Sequence, residues 1–188
     1  MSTGSGLDAQ FGFAQETTVG TPVTVTKFLE FAKEGIKFDP GFLEPTTLRA
    51  GRVFKRNSRV TQTRKSVSGD IELPVSSRGM GVLWKHAIGS TATPLQISTT
   101  TAYRQTHIPI GKFGLGLTVQ VGRPEPGTGT VRPFTFTGIK VSEWEFSISD
   151  GDVGMLKLSA DGWDESTATA LAPPPTPRRT CSASPRRR

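Results

Sequence analysis

The chain has 188 residues, 34% of them hydrophobic, with 21 Gly, 14 Pro and a formal net charge of +7. That length supports one domain with a core, or a domain plus a tail, and the Gly and Pro content favours short strands and turns over long helices. No apolar run approaches the ~20 residues that span a bilayer, residues 1–8 lack the basic and apolar regions of a signal peptide, and the single Cys181 excludes an intrachain disulfide or a cysteine metal cage, so synthesis and retention in a cytoplasm are expected.

Residues Gln10 to Phe31 predict two strands around a turn. Phe11 and Phe13 share one face, residues 18–22 are turn chemistry, and Val23 and Val25 alternate with threonines before Phe28, Leu29 and Phe31. Ile36 and Phe38 predict a short strand ended by Asp39-Pro40-Gly41.

Residues 45–69 carry Arg49, Arg52, Lys55, Arg56, Arg59, Arg64 and Lys65 and no acid. With so few apolar residues, the segment predicts an exposed arm or long hairpin. A solvated loop, a nucleic-acid contact and an arm lying on an acidic surface of a neighbouring subunit are its three possible uses. Phe54 is its one aromatic residue, too few for base stacking, so the subunit contact is preferred.

Val67, Gly69, Ile71, Leu73 and Val75 fall on one face of a period-two strand, with Pro74 near its end. The period then changes. Met80, Leu83, Trp84, Ala87 and Ile88 form one helical stripe, which predicts a short helix within 76–89 capped by Ser76 or Ser77 and stopped at Gly89. Its stripe is expected to pack on the sheet face holding Ile71 and Leu73, making Ile71, Leu73, Leu83, Trp84 and Ile88 the helix-on-sheet core.

Residues 90–106 predict a Ser/Thr-rich link. Alternation resumes at Ile108 and Ile110, then at Leu115, Leu117, Val119 and Val121, and residues 123–130 predict a turn. From Phe134 the phase slips twice. Ile139 and Val141 are odd, whereas Trp144, Phe146 and Ile148 are even, which requires bulges, bends or breaks. Asp150-Gly151-Asp152 predicts a turn before Met155, Leu156 and Leu158. Strands, one helix and more strands predict a mainly β (α+β) fold, a β-sandwich or half-barrel flanked by one short helix.

The basic excess sits at the end. Residues 173–188 hold five of the 23 Lys/Arg and no acid, which leaves 18 bases against 16 acids in residues 1–172. The domain is therefore read as 1–172, and 173–188 as an unfolded Pro/Arg-rich tail, either native or translated out of frame.

No arrangement supports catalysis. A nucleophile elbow, a dinucleotide fingerprint and a P-loop are all missing from the sequence. Asp150, Asp152, Asp161, Asp164 and Glu165 lack the ligand order of a calcium loop. His86 and His107 are expected on a helix surface and a strand surface, and Trp84, Trp144 and Trp163 in core packing. No catalytic residue, metal or cofactor is expected.

Residues 8–31 (DAQFGFAQETTVGTPVTVTKFLEF), 64–89 (RKSVSGDIELPVSSRGMGVLWKHAIG), 117–124 (LTVQVGRP) and 134–165 come in an order that resembles the major tail tube proteins of long-tailed bacteriophages, in particular those of actinobacterial phages. The resemblance covers residues 6 to about 172, and the chain departs from the family pattern after it. It implies a structural virion protein, made in the host cytoplasm and placed in the phage tail. It also implies homo-hexameric rings stacked into a tube, contact with other tail proteins, passage of DNA through the lumen, and no enzyme activity or membrane. A small basic nucleic-acid-binding β-barrel is the alternative, and steep salt dependence of DNA binding would separate it from ring formation.

Overall fold

A computed structural model describes residues 8–44, 60–76, 78–111 and 114–174. In chain order the elements are β1 (Gln10–Gln15), β2 (Lys27–Leu29), β3 (Lys33–Glu34), β4 (Lys37–Leu43), β5 (Thr61–Pro74), α1 (Gly81–Ile88), β6 (Gly89–Thr91), β7 (Leu95–Gln96), β8 (Tyr103–Arg104), β9 (His107–Pro109), β10 (Leu117–Pro124), β11 (Val131–Ser147), β12 (Met155–Gly162) and β13 (Asp164–Ser166). The main sheet runs β2-β1-β10-β11-β12-β5-β3, with β4 also on β5 and β13 also on β11. Every pairing in it is antiparallel.

The alternation read from residues 67–75 is the core face of β5. Val67, Ile71 and Leu73 are buried, and Met80, just before α1, with Leu83 and Ala87 of the helix joins the same cluster. Trp84 and Ile88 pack at its margin. Phe11, Phe13, Val119, Val121, Phe136, Leu156 and Leu158 are among the other members of the core. α1 thus packs into the cluster that holds Ile71 and Leu73, and it also lies along β11, which flanks β12 on the side away from β5.

The double phase slip of residues 134–148 is one continuous strand with two bulges. Leu117 faces Ile139 but Val119 faces Phe136, so β11 carries one extra residue there. Gly138 takes it up at φ 65°, a left-handed conformation that other residues enter at a cost. The second slip lies between Val141 and Glu143, against adjacent Ala160 and Ser159. β11 therefore pairs with β10 through its first half and with β12 through its second, joining both walls of the fold.

Glu16 pins this junction. Its side chain is 2% exposed. One carboxylate oxygen accepts the Gly138 N–H at 2.8 Å and the Thr118 hydroxyl at 3.0 Å, and the other accepts the Gly20 N–H at 2.7 Å. Glu16→Gln turns one acceptor into a donor at a buried cluster of donors. It is expected to cost about 1–3 kcal/mol, the range for one buried group left unsatisfied. Urea denaturation measures it; an unchanged midpoint would show that the clamp contributes nothing.

Several expectations are corrected. Val23 and Val25 join no strand; the second strand is only Lys27–Leu29. Asp39-Pro40-Gly41 is no turn but the middle of β4, paired with Ser66, Lys65 and Arg64. The residue preceding α1 is Met80, with no side-chain cap bond. The Ser76 hydroxyl instead accepts the Arg78 N–H at 3.3 Å, and Ser77 lies outside the described residues. Gly89 does end the helix, at φ 135°, with its N–H on the Lys85 carbonyl. Residues 90–106 are not a plain link, since β6 pairs β9 and β7 pairs β8. His86 is buried in place of lying on the helix surface. His107 is half-buried, its Nδ1 2.8 Å from the Thr91 hydroxyl.

Candidate subunit interface

The second half of β11, with β12, β5 and β4, forms a strip four strands wide. Its strands alternate in direction, so each edge presents an antiparallel partner to another copy. Among the described residues, β10 and its ladder stop at Ile139, which leaves one edge of 140–147 without a strand. At the far side, among the described residues, β4 is paired only with β5. Unpaired edges of this length are templates for strand addition.

The two faces of the strip differ in chemistry. On one, Trp144, Leu158 and Ile71 align in one row, and Phe146, Leu156 and Leu73 in the next. The inner members are buried, but Trp144 is 46% and Phe146 47% exposed, and Ile148 and Val153 beside them are exposed too. The apolar face thus runs past the cover supplied by α1. Trp84 meets Trp144 edge-on, ring centroids 5.9 Å apart. The core-packing expectation holds for Trp84 only: Trp144 reaches this uncovered margin, and Trp163 is exposed, lying over Gly20 and Gly138.

The other face is polar. The rows Glu143–Ser159–Asp70, Glu145–Lys157–Glu72 and Lys140–Asp161–Ser68–Lys37 cross it, with Asp39 and Lys33 at the side. With Asp39 and Lys33 counted, these residues comprise six acids and four lysines. Asp70 accepts from the Ser159 hydroxyl at 2.8 Å and lies 3.3 Å from the Lys157 ammonium, and these bonds hold its carboxyl below the ordinary value of 3.8.

Of the seven basic residues singled out by sequence, Arg49, Arg52, Lys55, Arg56 and Arg59 lie outside the described residues. Arg64 and Lys65 are exposed on β5. Lys65 donates to Asp164 at 2.7 Å, which lowers the Asp164 pKa from 3.8. The β4–β5 pair leading to that segment exposes Phe42, Leu43 and Val60.

A half-buried arginine ties β10 to β3, at one edge of the curled sheet. Arg123 on β10 pairs with Glu34 on β3 and donates to the Ile36 carbonyl at 2.7 Å. Its guanidinium lies 4.6 Å from the Phe134 ring centroid. Glu165 lies nearby, and burial raises its pKa above 4.5 while Arg123 opposes the rise.

The described residues contain no group of three or more His, Cys, Asp or Glu side chains able to hold a metal ion. Among the same residues, no helix is long and apolar enough to cross a membrane. Sequence reasoning missed Trp144 and Phe146 as surface groups, because alternation marks an apolar face but not what covers it.

A family model described as phage tail tube protein matches residues 6–184. No curated protein matches the chain. Among solved structures, the SPP1 tail tube, determined by solid-state NMR and cryo-EM, is 10% identical with a TM-score of 0.49, covering 86% of this chain and 77% of that one. A chain of the anti-feeding prophage baseplate, 6-fold symmetrised, is 9% identical with a TM-score of 0.50, covering 88% of this chain and 93% of that one. That second similarity extends to the fold.

Proposed function

The chain belongs to the phage tail tube protein family, and on that premise we propose that copies join edge to edge into six-membered rings, which stack as the tail tube wall around passing DNA. It is a structural protein of the phage tail, and its partners are copies of itself and other tail proteins. The observation that carries the ring is the open edge of β11 at 140–147, flanked by the uncovered Trp144 and Phe146. The 140–147 edge of one copy pairs with β4 of the next, so each contact adds an antiparallel ladder and buries the apolar margin. Because the two edges differ, the contact is heterologous, and rotation closes it into a ring. Six strips of four strands place 24 strands around the channel. At about 4.8 Å per strand the backbone circle is roughly 37 Å across, and strand tilt widens it.

The polar face of the strip then lines the channel. Its carboxylates keep phosphates from adhering, and its lysines keep the field moderate, so a duplex slides without a binding site. Assembly proceeds in the host cytoplasm before the tail joins the virion. The uniformly positive set Arg49, Arg52, Lys55, Arg56, Arg59, Arg64 and Lys65 is suited to an acidic surface of an adjoining copy. The nucleic-acid-binding alternative has no such family support.

Negative-stain microscopy of the purified chain, with sedimentation across a concentration series, tests the proposal. Rings and tubes that grow with concentration are expected. A chain that stays monomeric at every concentration, yet binds DNA with steep salt dependence, would overturn it.

A further inference from the structure

The excursion between α1 and β10 carries a surface that the ring contact does not use. Its base is the β6–β9 ladder, and its outer part pairs Leu95 with Arg104 and Gln96 with Tyr103. Partners in an antiparallel pair share a face, so Leu95, Ile97 and Arg104 lie together and Tyr103 lies opposite. Leu95 and Tyr103 are each 62% exposed, and Ile97 is 50% exposed. Arg104 is the one charged residue of 92–106. The tip is tightly bonded. The Ile97 N–H donates to the Ala102 carbonyl at 2.9 Å, the Thr100 hydroxyl to the Ile97 carbonyl at 2.6 Å, and the Gln96 amide to the Thr100 carbonyl at 2.7 Å. This is a preformed apolar knob, and a preformed element loses little entropy on docking.

A complementary hollow of about 650 Å³ lies at the open edge of β2, lined by Phe11, Phe28, Leu29, Phe31 and Pro174, with Glu30 as its one charge. The knob and the hollow sit toward opposite ends of the β1–β2 pair. Thr91–Pro94 and Gln105 line a pocket with Gln15 and Lys27, at one end. The hollow gathers Ala9 and Gln10 with Leu29 to Ala32, at the other. Along β1 those ends are about 17 Å apart.

We infer that the Leu95–Ile97 face of one copy's knob seats in the Phe28–Phe31 hollow of a copy in the next ring, with Arg104 of the same face against Glu30. The occupant is a second copy for three reasons. Each side is apolar with a single charge, and the two charges are opposite. A knob and hollow at opposite ends form a head-to-tail contact that cannot close within one pair, the kind that extends a stack without limit. Both features lie away from the strip edges assigned to the ring. This rests on the tube reading above and adds the residues that join ring to ring.

A charge-reversal cycle on the full chain tests it, with rings and stacks counted separately by microscopy and sedimentation. Arg104→Glu and Glu30→Arg are each expected to raise the concentration at which rings pass into stacks roughly tenfold, by placing like charges together. The double variant is expected to return to within about threefold of wild type, since the pair is restored in the other order. Leu95→Asp should raise the threshold as well, with no rescue by Glu30→Arg. Both sites are exposed, so melting temperatures should hold, and ring formation should be unchanged throughout. Single variants that stack like wild type, a double variant no better than the singles, or variants that fail to form rings would each overturn the contact. A wild type that never leaves the monomer would overturn the tube reading and this contact together.

Discussion

A Phe146→Asp chain is expected to remain monomeric at concentrations where the wild type forms rings. Phe146 continues the row of Leu156 and Leu73 to the open edge of the strip, where half its surface is uncovered. In the proposed ring that surface lies in the seam between copies. A carboxylate there must be stripped of water with no partner, and the loss of an aromatic anchor costs about 2 kcal/mol or more per contact. Each 1.4 kcal/mol is about tenfold in association, so the monomer–ring midpoint should rise by roughly thirtyfold or more. The monomer itself should lose only about 1 kcal/mol, the partial burial of one ring. Sedimentation velocity gives the first quantity and thermal melting the second. Normal rings from this variant would place the seam elsewhere.

Leu83→Ala is expected to produce the largest loss of monomer stability, about 2–5 kcal/mol. Leu83 is 1% exposed and sits in the cluster that joins α1 to Ile71, Leu73, Leu156 and Leu158. Truncation leaves a cavity between a short helix and a sheet, and an eight-residue helix has no stability of its own to fall back on. Against a typical total of about 5–15 kcal/mol, that loss should lower the urea midpoint by a large fraction. A near-neutral effect would mean that the helix contributes little to the core.

The features legible from sequence are those whose side chains carry a strong period. The strand over 67–75 and the switch to a helical stripe at 80–88 are of this kind. So are the phase slips that become the bulges at Gly138 and Ser142. What failed has physical causes. Asp39-Pro40-Gly41 has turn composition, but Pro40 lies on a strand that, among the described residues, is paired on one side only, where a missing N–H can face outward at little cost. The β7–β8 ladder is built from two-residue strands in Ser/Thr-rich sequence, too short for any alternation to register. His86 was placed on the surface by its polarity, although it shares the buried side of the helix with Leu83 and Ala87. The proposed interface was half legible. The apolar face at Trp144 and Phe146 stands out in sequence, yet a face meant for another copy carries the same pattern as one meant for the chain's own core. The buried carboxylate of Glu16 left no local signal at all, since its partners come from residues 20, 118 and 138.

The continuity of β11 has a mechanical meaning. A tube that bends in flight or during attachment stretches on its outer curve and compresses on its inner one. If the channel strip and the outer sheet were separate strands held by side-chain packing, repeated flexing would let one slide over the other. Here a single run of covalent bonds passes from the half of β11 paired with β10, through the Gly138 bulge, into the strip proposed to line the channel. In the proposed tube, shear between the two halves of β11 loads this backbone in tension, at a bulge fastened on Glu16.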